Sequence, residues 1–141
     1  MSSTIKLEIV TPDRSVLSED AEYVGVPGTM GQFGVMSNHI PLLSSLTIGS
    51  LYYRNESQTK HVFVSGGFAE VSPESITILA ESAEVADEID PDRAQRAKER
   101  AEKRMQKQEE DINRTRAEAA LYRAIERINT LEKDTGKSYS K

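Results

Sequence analysis

The chain has 141 residues, enough for one ordinary domain or for a small domain with an appendage. It contains no cysteine, which excludes a disulfide framework, a thiolate metal site and cysteine catalysis. The net charge of −5 divides unevenly: residues 1–88 carry four basic and twelve acidic side chains, and residues 89–141 carry fourteen basic and eleven acidic ones.

This charge pattern and the polarity of the chain narrow the classes of partner. Carboxylates offset most of the cations in the second part, so we expect no nucleic-acid partner. No apolar run approaches the length that spans a bilayer, and residues 1–6 lack the pattern of a signal peptide. We therefore expect a soluble, cytoplasmic protein without direct membrane insertion, which reaches a membrane only through a partner.

Residues 1–88 predict an all-β domain. Short alternating or apolar runs recur about every 8–12 residues between turn residues, which is typical of a sandwich or barrel. Pro41 and Pro73 are expected at strand edges or turns, because proline cannot donate to a ladder. Residues 27–31 and 65–67 are glycine-rich and predict turns. The predicted strands are Ile5–Val10, Ser15–Ser18, Ala21–Val26, Phe33–Met36, Leu42–Leu46, Gly49–Tyr53, His61–Ser65, Phe68–Val71 and Ile76–Ala80.

Residues 89–141 predict a helical hairpin. Asp90 can cap the first helix, Pro91 suits its first position, and nothing breaks the helix before about Lys107. Asp111 or Asn113 is expected to cap the second helix. The predicted apolar seams are Ala94, Ala97, Ala101 and Met105 on the first helix, and Ala117, Leu121, Ala124, Ile128 and Leu131 on the second. Small residues bury little area, so we expect the hairpin to be weakly held.

No pattern of residues predicts catalysis or metal binding. The histidines, His39 and His61, have no acidic or histidine neighbour at the spacing of metal ligands. Ser65 lacks the Gly-x-Ser-x-Gly context of a nucleophile and has no assignable base. We therefore predict no catalytic residue, no metal site and no enzymatic activity.

The arginines of the helices leave two interpretations open. Arg93 and Arg100 share a face of the first helix, and Arg123 and Arg127 lie four residues apart on the second. The pattern alone favours a solvated face supported by pairs such as Glu99 with Lys103. The alternative is an anion clamp that forms when the helices fold together, because guanidinium groups bind phosphate oxygens bidentately.

Several segments, in this order along the chain, resemble the epsilon subunit of bacterial F-type ATP synthase. The resemblance covers nearly the whole chain and implies a ten-stranded flattened β-sandwich (residues 1–88) followed by an antiparallel two-helix hairpin (residues 89–141), in agreement with the fold predicted above. It rests on residues 5–12 (IKLEIVTP), 27–43 (PGTMGQFGVMSNHIPLL), 65–71 (SGGFAEV), 76–83 (ITILAESA), 89–94 (IDPDRA) and 120–127 (ALYRAIER).

The resemblance implies a non-catalytic subunit of the rotor's central stalk, peripheral on the cytoplasmic face of the bacterial membrane. The sandwich of such proteins binds the gamma subunit and the ring of c subunits, and helps to couple proton flow to rotation. Their helices switch between a compact hairpin and an extended form, which reaches the catalytic beta and alpha subunits and inhibits ATP hydrolysis. The partner-binding segment expected here is His39, Ile40, Pro41, Leu42 and Leu43.

The resemblance also implies a regulatory ATP site, with no required cofactor. The family motif Ile/Leu-Asp-x-x-Arg-Ala matches Ile89, Asp90, Arg93 and Ala94. The further matches are Arg100, Arg123, Arg127 and Glu84. The alternative function is a free-standing nucleotide-sensing adaptor; a stalk subunit differs from it in presenting a broad apolar face when isolated.

Overall fold

The computed structural model describes residues 3–107 and 111–138. Within these ranges, ten strands precede two α-helices, joined by a short 3-10 turn, Ala86–Glu88. The strands are β1 (Ile5–Val10), β2 (Ser15–Ala21), β3 (Tyr23–Gly28), β4 (Gly31–Val35), β5 (Leu42–Ser45), β6 (Gly49–Asn55), β7 (Gln58–Ser65), β8 (Phe68–Val71), β9 (Ser75–Leu79) and β10 (Ser82–Val85). The helices are α1 (Pro91–Gln106) and α2 (Asp111–Thr135).

The strands form two five-stranded sheets that pack face to face. The first sheet has the order β2-β1-β9-β8-β5 and the second the order β10-β7-β6-β3-β4. Strands β1 and β9 pair in parallel, whereas the other paired strands run antiparallel. Alternate residues of each strand fill the core, as Ile5, Leu7 and Ile9 do on β1. The predicted fold class, a β-sandwich followed by a two-helix hairpin, is confirmed.

Some local details differ from the prediction made from the residues. β10 is an additional strand, and Pro27 and Gly28 lie inside β3 rather than in a turn. β3 pairs with β6 only from Tyr23 to Gly25. Pro27 lies beyond this pairing, so its missing N–H removes no hydrogen bond to β6. The predicted turn at residues 65–67 is present: Gly66 and Gly67 have φ values of 68° and 99°, which favour glycine.

Six of the nine predicted seam residues are buried, and Ala97, Met105 and Leu121 are half-buried. Ala94 and Ala101 are buried on α1, and Ala117, Ala124, Ile128 and Leu131 are buried on α2. The side chains of Asp111 and Asn113, the predicted caps, lie outside the described residues. In the described part of the chain, no helix is long and apolar enough to cross a membrane.

The hairpin also packs on the second sheet through a cluster separate from the sandwich core. This second cluster consists of Phe63, Ile89, Ala94, Ile128 and Leu131, with Ile48 packed against it. Phe63 lies on β7 and is fully buried. The hairpin is therefore held by a few large side chains as well as by its alanine seam.

Candidate functional site

A cavity of about 320 Å³ lies where β10, the 3-10 turn, α1 and α2 meet. Seven of the eight residues predicted to bind ATP line this cavity, and Arg123 does not. Glu88 and Ala97 also line the cavity and were not predicted. The lining residues are Glu84, Glu88, Ile89, Asp90, Arg93, Ala94, Ala97, Arg100 and Arg127.

Asp90 fixes the start of α1 and thereby the face that α1 presents to this cavity. Its Oδ1 accepts hydrogen bonds from the backbone N–H groups of Asp92 (2.9 Å) and Arg93 (3.2 Å). Helical spacing then brings Arg93, Ala97 and Arg100 to the cavity. Because Oδ1 is occupied by the cap, Oδ2 is the oxygen that can accept from a ligand.

Arg127 connects α2 to two strands of the sandwich. Its Nε donates a 2.7 Å hydrogen bond to Glu84 Oε1, and its guanidinium carbon lies 4.5 Å from the centroid of the Phe63 ring. Glu84 and Phe63 are direct partners across the β10–β7 pair. The carboxylate and the aromatic face therefore hold one cation together, with a charge-assisted hydrogen bond and a cation–π contact.

Phe63 is a site residue that the sequence did not predict. It stands in an apolar run whose other members fill the sandwich core, and nothing in that run distinguishes it. Its partnership with Arg127 depends on a residue 64 positions away, which only the docking of α2 brings close.

The charges around the cavity are unequally compensated. Glu88 accepts from Arg14 Nη2 at 3.0 and 3.1 Å, and Glu84 pairs with Arg127. Among the residues that the structure describes, Arg93 and Arg100 form no ion pair, and Glu99 and Lys103 are not paired either. Within the described residues, the Glu99–Lys103 pair expected for a solvated face is thus absent, and Arg93 and Arg100 remain available to an anion in the cavity.

The predicted partner-binding segment lies at one edge of the first sheet. His39 Nδ1 is 2.6 Å from the carbonyl oxygen of Ile40, which holds the imidazole against the backbone of the next residue. Pro41 precedes β5, and Leu42 begins it. Ile40 and Leu43 are 76% and 68% exposed.

The apolar surface extends beyond this segment across the outside of the sheet. Phe68 on β8 and Leu79 on β9 pair directly and are 53% and 49% exposed. Both face outward because their neighbours Ala69 and Ile78 face the core. We call Ile40, Leu43, Phe68 and Leu79 the outer apolar face; its Phe68 and Leu79 part was not predicted as a site.

Metal ligands are not gathered anywhere in the described residues. No group of three or more histidine or acidic side chains within residues 3–107 and 111–138 is arranged to hold a metal ion.

Comparison with known families and proteins gives a consistent result. Residues 4–86 match the family described as "ATP synthase, Delta/Epsilon chain, beta-sandwich domain", and residues 87–132 match its "long alpha-helix domain". The ATP synthase epsilon chain of Nitratidesulfovibrio vulgaris is 58% identical over 128 residues, which cover 91% of this chain and 96% of that one. The epsilon chain of Syntrophobacter fumaroxidans is 50% identical over 133 residues, covering 94% and 99%.

Solved structures show the same fold. A chain of the Euglena gracilis mitochondrial ATP synthase, in an assembly of OSCP, F1 and c-ring, matches with a TM-score of 0.77 and 26% identity over 92% of this chain and 80% of that one. A chain of the Tetrahymena thermophila central stalk and c-ring matches in fold, with a TM-score of 0.62 at 14% identity over 92% and 98%. The chain therefore belongs to the ATP synthase delta/epsilon family, as an epsilon chain of the bacterial type.

Proposed function

We propose that the chain is a non-catalytic subunit of the central stalk of F-type ATP synthase, peripheral on the cytoplasmic face of the bacterial membrane. The Euglena assembly, which contains F1 and a c-ring, supports this placement because a chain of it shares the fold. In this role the sandwich rotates with the gamma subunit and the c-ring, and couples proton flow to catalysis.

The outer apolar face is the proposed docking surface for the gamma subunit. Apolar side chains as exposed as Leu43 and Phe68, on the same face of the neighbouring strands β5 and β8, are typical of a surface that a partner covers. The same observation favours a stalk subunit over a free-standing nucleotide-sensing adaptor, because a protein without a stable partner is not expected to expose a broad apolar surface to water.

The cavity between the helices and β10 is the proposed regulatory ATP site, and it is the single observation that carries the regulatory role. Arg93, Arg100 and Arg127 line one space with Ile89 and Asp90. Guanidinium groups suit the triphosphate, the apolar side chain of Ile89 suits the adenine ring, and Asp90 Oδ2 suits its amino group. No base or water-orienting group is assigned, so we propose binding without hydrolysis.

Binding at this site favours the compact hairpin. The lining residues come from β10, α1 and α2, so the complete site exists only while the helices are folded on the sandwich. A ligand that binds one conformation alone stabilises it by mass action. The phosphates also offer Arg127 a second anionic partner beside Glu84. Bound ATP would therefore hold α2 near β10, as the Arg127–Glu84 ion pair does.

The open hairpin is the proposed inhibitory form. When ATP is scarce, the helices leave the sandwich; a continuous helix from Asp90 to Leu131 spans roughly 60 Å at 1.5 Å per residue. That length suffices to run along a stalk toward the catalytic beta and alpha subunits, where the arginines of α2 meet acidic surfaces.

The test is ATP hydrolysis by the reconstituted motor that carries either the full chain or a chain lacking residues 89–141. The shortened chain should assemble and raise hydrolysis at low ATP concentration, while the two motors should converge at high ATP. Arg93→Ala in the full chain is the matched comparison, since weaker ATP binding should extend inhibition to higher ATP. Equal hydrolysis by all three motors at every ATP concentration would overturn the proposed switch.

A further inference from the structure

The turn between β1 and β2 reaches the edge of the ATP cavity through one side chain. Arg14 Nη2 donates to both carboxylate oxygens of Glu88, at 3.1 Å to Oε1 and 3.0 Å to Oε2. Glu88 lines the cavity, whereas Arg14 does not. An arginine 74 positions earlier in the chain therefore binds a carboxylate of the site from outside the cavity.

Local structure holds both members of this pair in place. Thr11 Oγ1 accepts from the backbone N–H of Arg14 at 3.3 Å, and the N–H of Thr11 donates to the carbonyl oxygen of Arg14 at 2.9 Å. At the other end, Glu88 closes the 3-10 turn and lies between buried Ala86 and buried Ile89. The N–H of Ile89 donates to the carbonyl oxygen of Ala86 at 3.1 Å. The pair thus joins two short turns whose backbones are each fixed by hydrogen bonds of their own.

The charges that line the cavity show why a cation outside it matters. Three arginines and three carboxylates line the cavity, so the lining has no net charge: Arg93, Arg100, Arg127, Glu84, Glu88 and Asp90. Arg14 adds the cation that makes the surroundings of the cavity positive. A compact cavity of about 320 Å³ is roughly 8 Å across, no more than the Debye length at physiological ionic strength, so every lining charge acts on a bound triphosphate.

Without Arg14, Glu88 would compete with the ligand for the arginines of the site. Arg93 and Arg100 line the same cavity as Glu88, yet within the described residues neither forms an ion pair. Both oxygens of Glu88 accept from Arg14 instead. A free carboxylate at this place would attract a guanidinium of α1, because charge-assisted hydrogen bonds are among the strong ones, and it would repel the phosphates.

We propose that Arg14 is a positioning residue of the ATP site, which holds the Glu88 carboxylate in an ion pair and so leaves Arg93 and Arg100 free for the phosphates. This role rests on the proposed binding of ATP in the cavity. It extends the site to the β1–β2 turn and acts through the charge of the site.

A cycle of single and double variants of the full chain tests this role, with ATP affinity measured by isothermal calorimetry. Arg14→Gln should weaken ATP binding about three- to tenfold, as expected for one uncompensated negative charge beside an anion at a partly exposed site. Glu88→Gln should tighten binding, because a negative charge is lost while Arg14 remains. The double variant should restore the affinity of the unsubstituted chain, since the two charges lost are opposite. It lacks the ion pair just as Arg14→Gln does, so this restoration separates an electrostatic role from a structural one.

Lys6→Gln is the matched control. Lys6 is also an exposed cation of the sandwich, in a 3.3 Å ion pair with Glu8, but it does not line the cavity, so its loss should leave ATP affinity unchanged. A loss in Lys6→Gln equal to that in Arg14→Gln would overturn the role of Arg14, because the effect would then come from net charge alone.

Three further results would overturn it: Arg14→Gln that binds ATP as tightly as the unsubstituted chain, a double variant that binds as weakly as Arg14→Gln, or weaker binding by Glu88→Gln. In each of these the unsubstituted chain still binds ATP, so the proposed site stands and only the role of Arg14 falls. Absence of ATP binding by the unsubstituted chain would overturn the site and the role of Arg14 together.

Discussion

Arg127 on α2 donates a 2.7 Å hydrogen bond from Nε to Glu84 Oε1 on β10. This contact joins residues 43 positions apart and lies beside the cavity proposed for ATP. The side chains are 26% and 30% exposed, so water screens the pair only partly. Arg127 therefore serves the compact hairpin in two ways: it pairs with the sandwich when no ligand is bound, and it lies within reach of an anion in the cavity.

Phe63 should stabilise the docked hairpin beyond its contribution to apolar burial. Phe63→Leu keeps an apolar side chain but removes the aromatic face beneath Arg127, and we expect a loss of about 1–2 kcal/mol in the free energy of unfolding. Urea denaturation of the isolated chain measures it. Phe68→Leu is the matched control: Phe68 is 53% exposed, so its change should stay within about 0.5 kcal/mol. Equal losses in the two variants would contradict a special role for Phe63.

Asp90 should have separable roles in helix capping and in adenine recognition. Asn caps helices about as well as Asp, so Asp90→Asn should preserve the helical circular dichroism of α1. Its amide N–H₂ would face the amino group of adenine, donor against donor, so ATP affinity should fall about tenfold or more. Calorimetric titration with ATP tests this. If Asp90→Asn binds ATP as tightly as the unsubstituted chain, Asp90 acts only as a cap.

The outer apolar face should be required for assembly but not for folding. Leu43 is 68% exposed on the edge strand β5, so Leu43→Asp should leave the sandwich folded. A carboxylate in a dry interface should weaken binding of the gamma subunit by about tenfold or more. Tyr122→Asp, at an exposed apolar residue of α2, is the control and should bind normally in a co-purification assay. Normal gamma binding by Leu43→Asp would place the interface elsewhere.

The sequence predicts the elements of the structure better than their contacts. Alternation marks β1 and β9, and Asp90-Pro91 marks the start of α1, because these signals are local. β10, Ser82–Val85, was missed because its residues, Ser, Ala, Glu and Val, show little of the β-branched and aromatic enrichment that marks the other strands. Phe63, Arg14 and Glu88 were missed for a different reason, since their partners lie more than sixty residues away: the docking of α2 brings Arg127 to Phe63, and the fold of the sandwich brings Arg14 to Glu88.

The resemblance supplied most of the proposed site, and the structure supplied its geometry. Spacing along α1 places Arg93 and Arg100 on one face, but it does not tell whether that face meets solvent or a cavity. A match to the family pattern does not by itself place a residue at the site either: Arg123 matches the pattern but does not line the cavity.

The most direct test of the account is the ATP affinity of Arg93→Ala compared with that of Arg96→Ala. Both arginines are exposed on α1, but only Arg93 lines the cavity. Comparing the two variants therefore separates the loss of a residue at the site from the loss of one positive charge on the helix. In isothermal calorimetry, Arg93→Ala should weaken ATP binding by about 1.5–3 kcal/mol, through loss of a charge-assisted hydrogen bond, while Arg96→Ala binds like the unsubstituted chain. Equal ATP affinity of all three proteins would contradict an arginine clamp in this cavity.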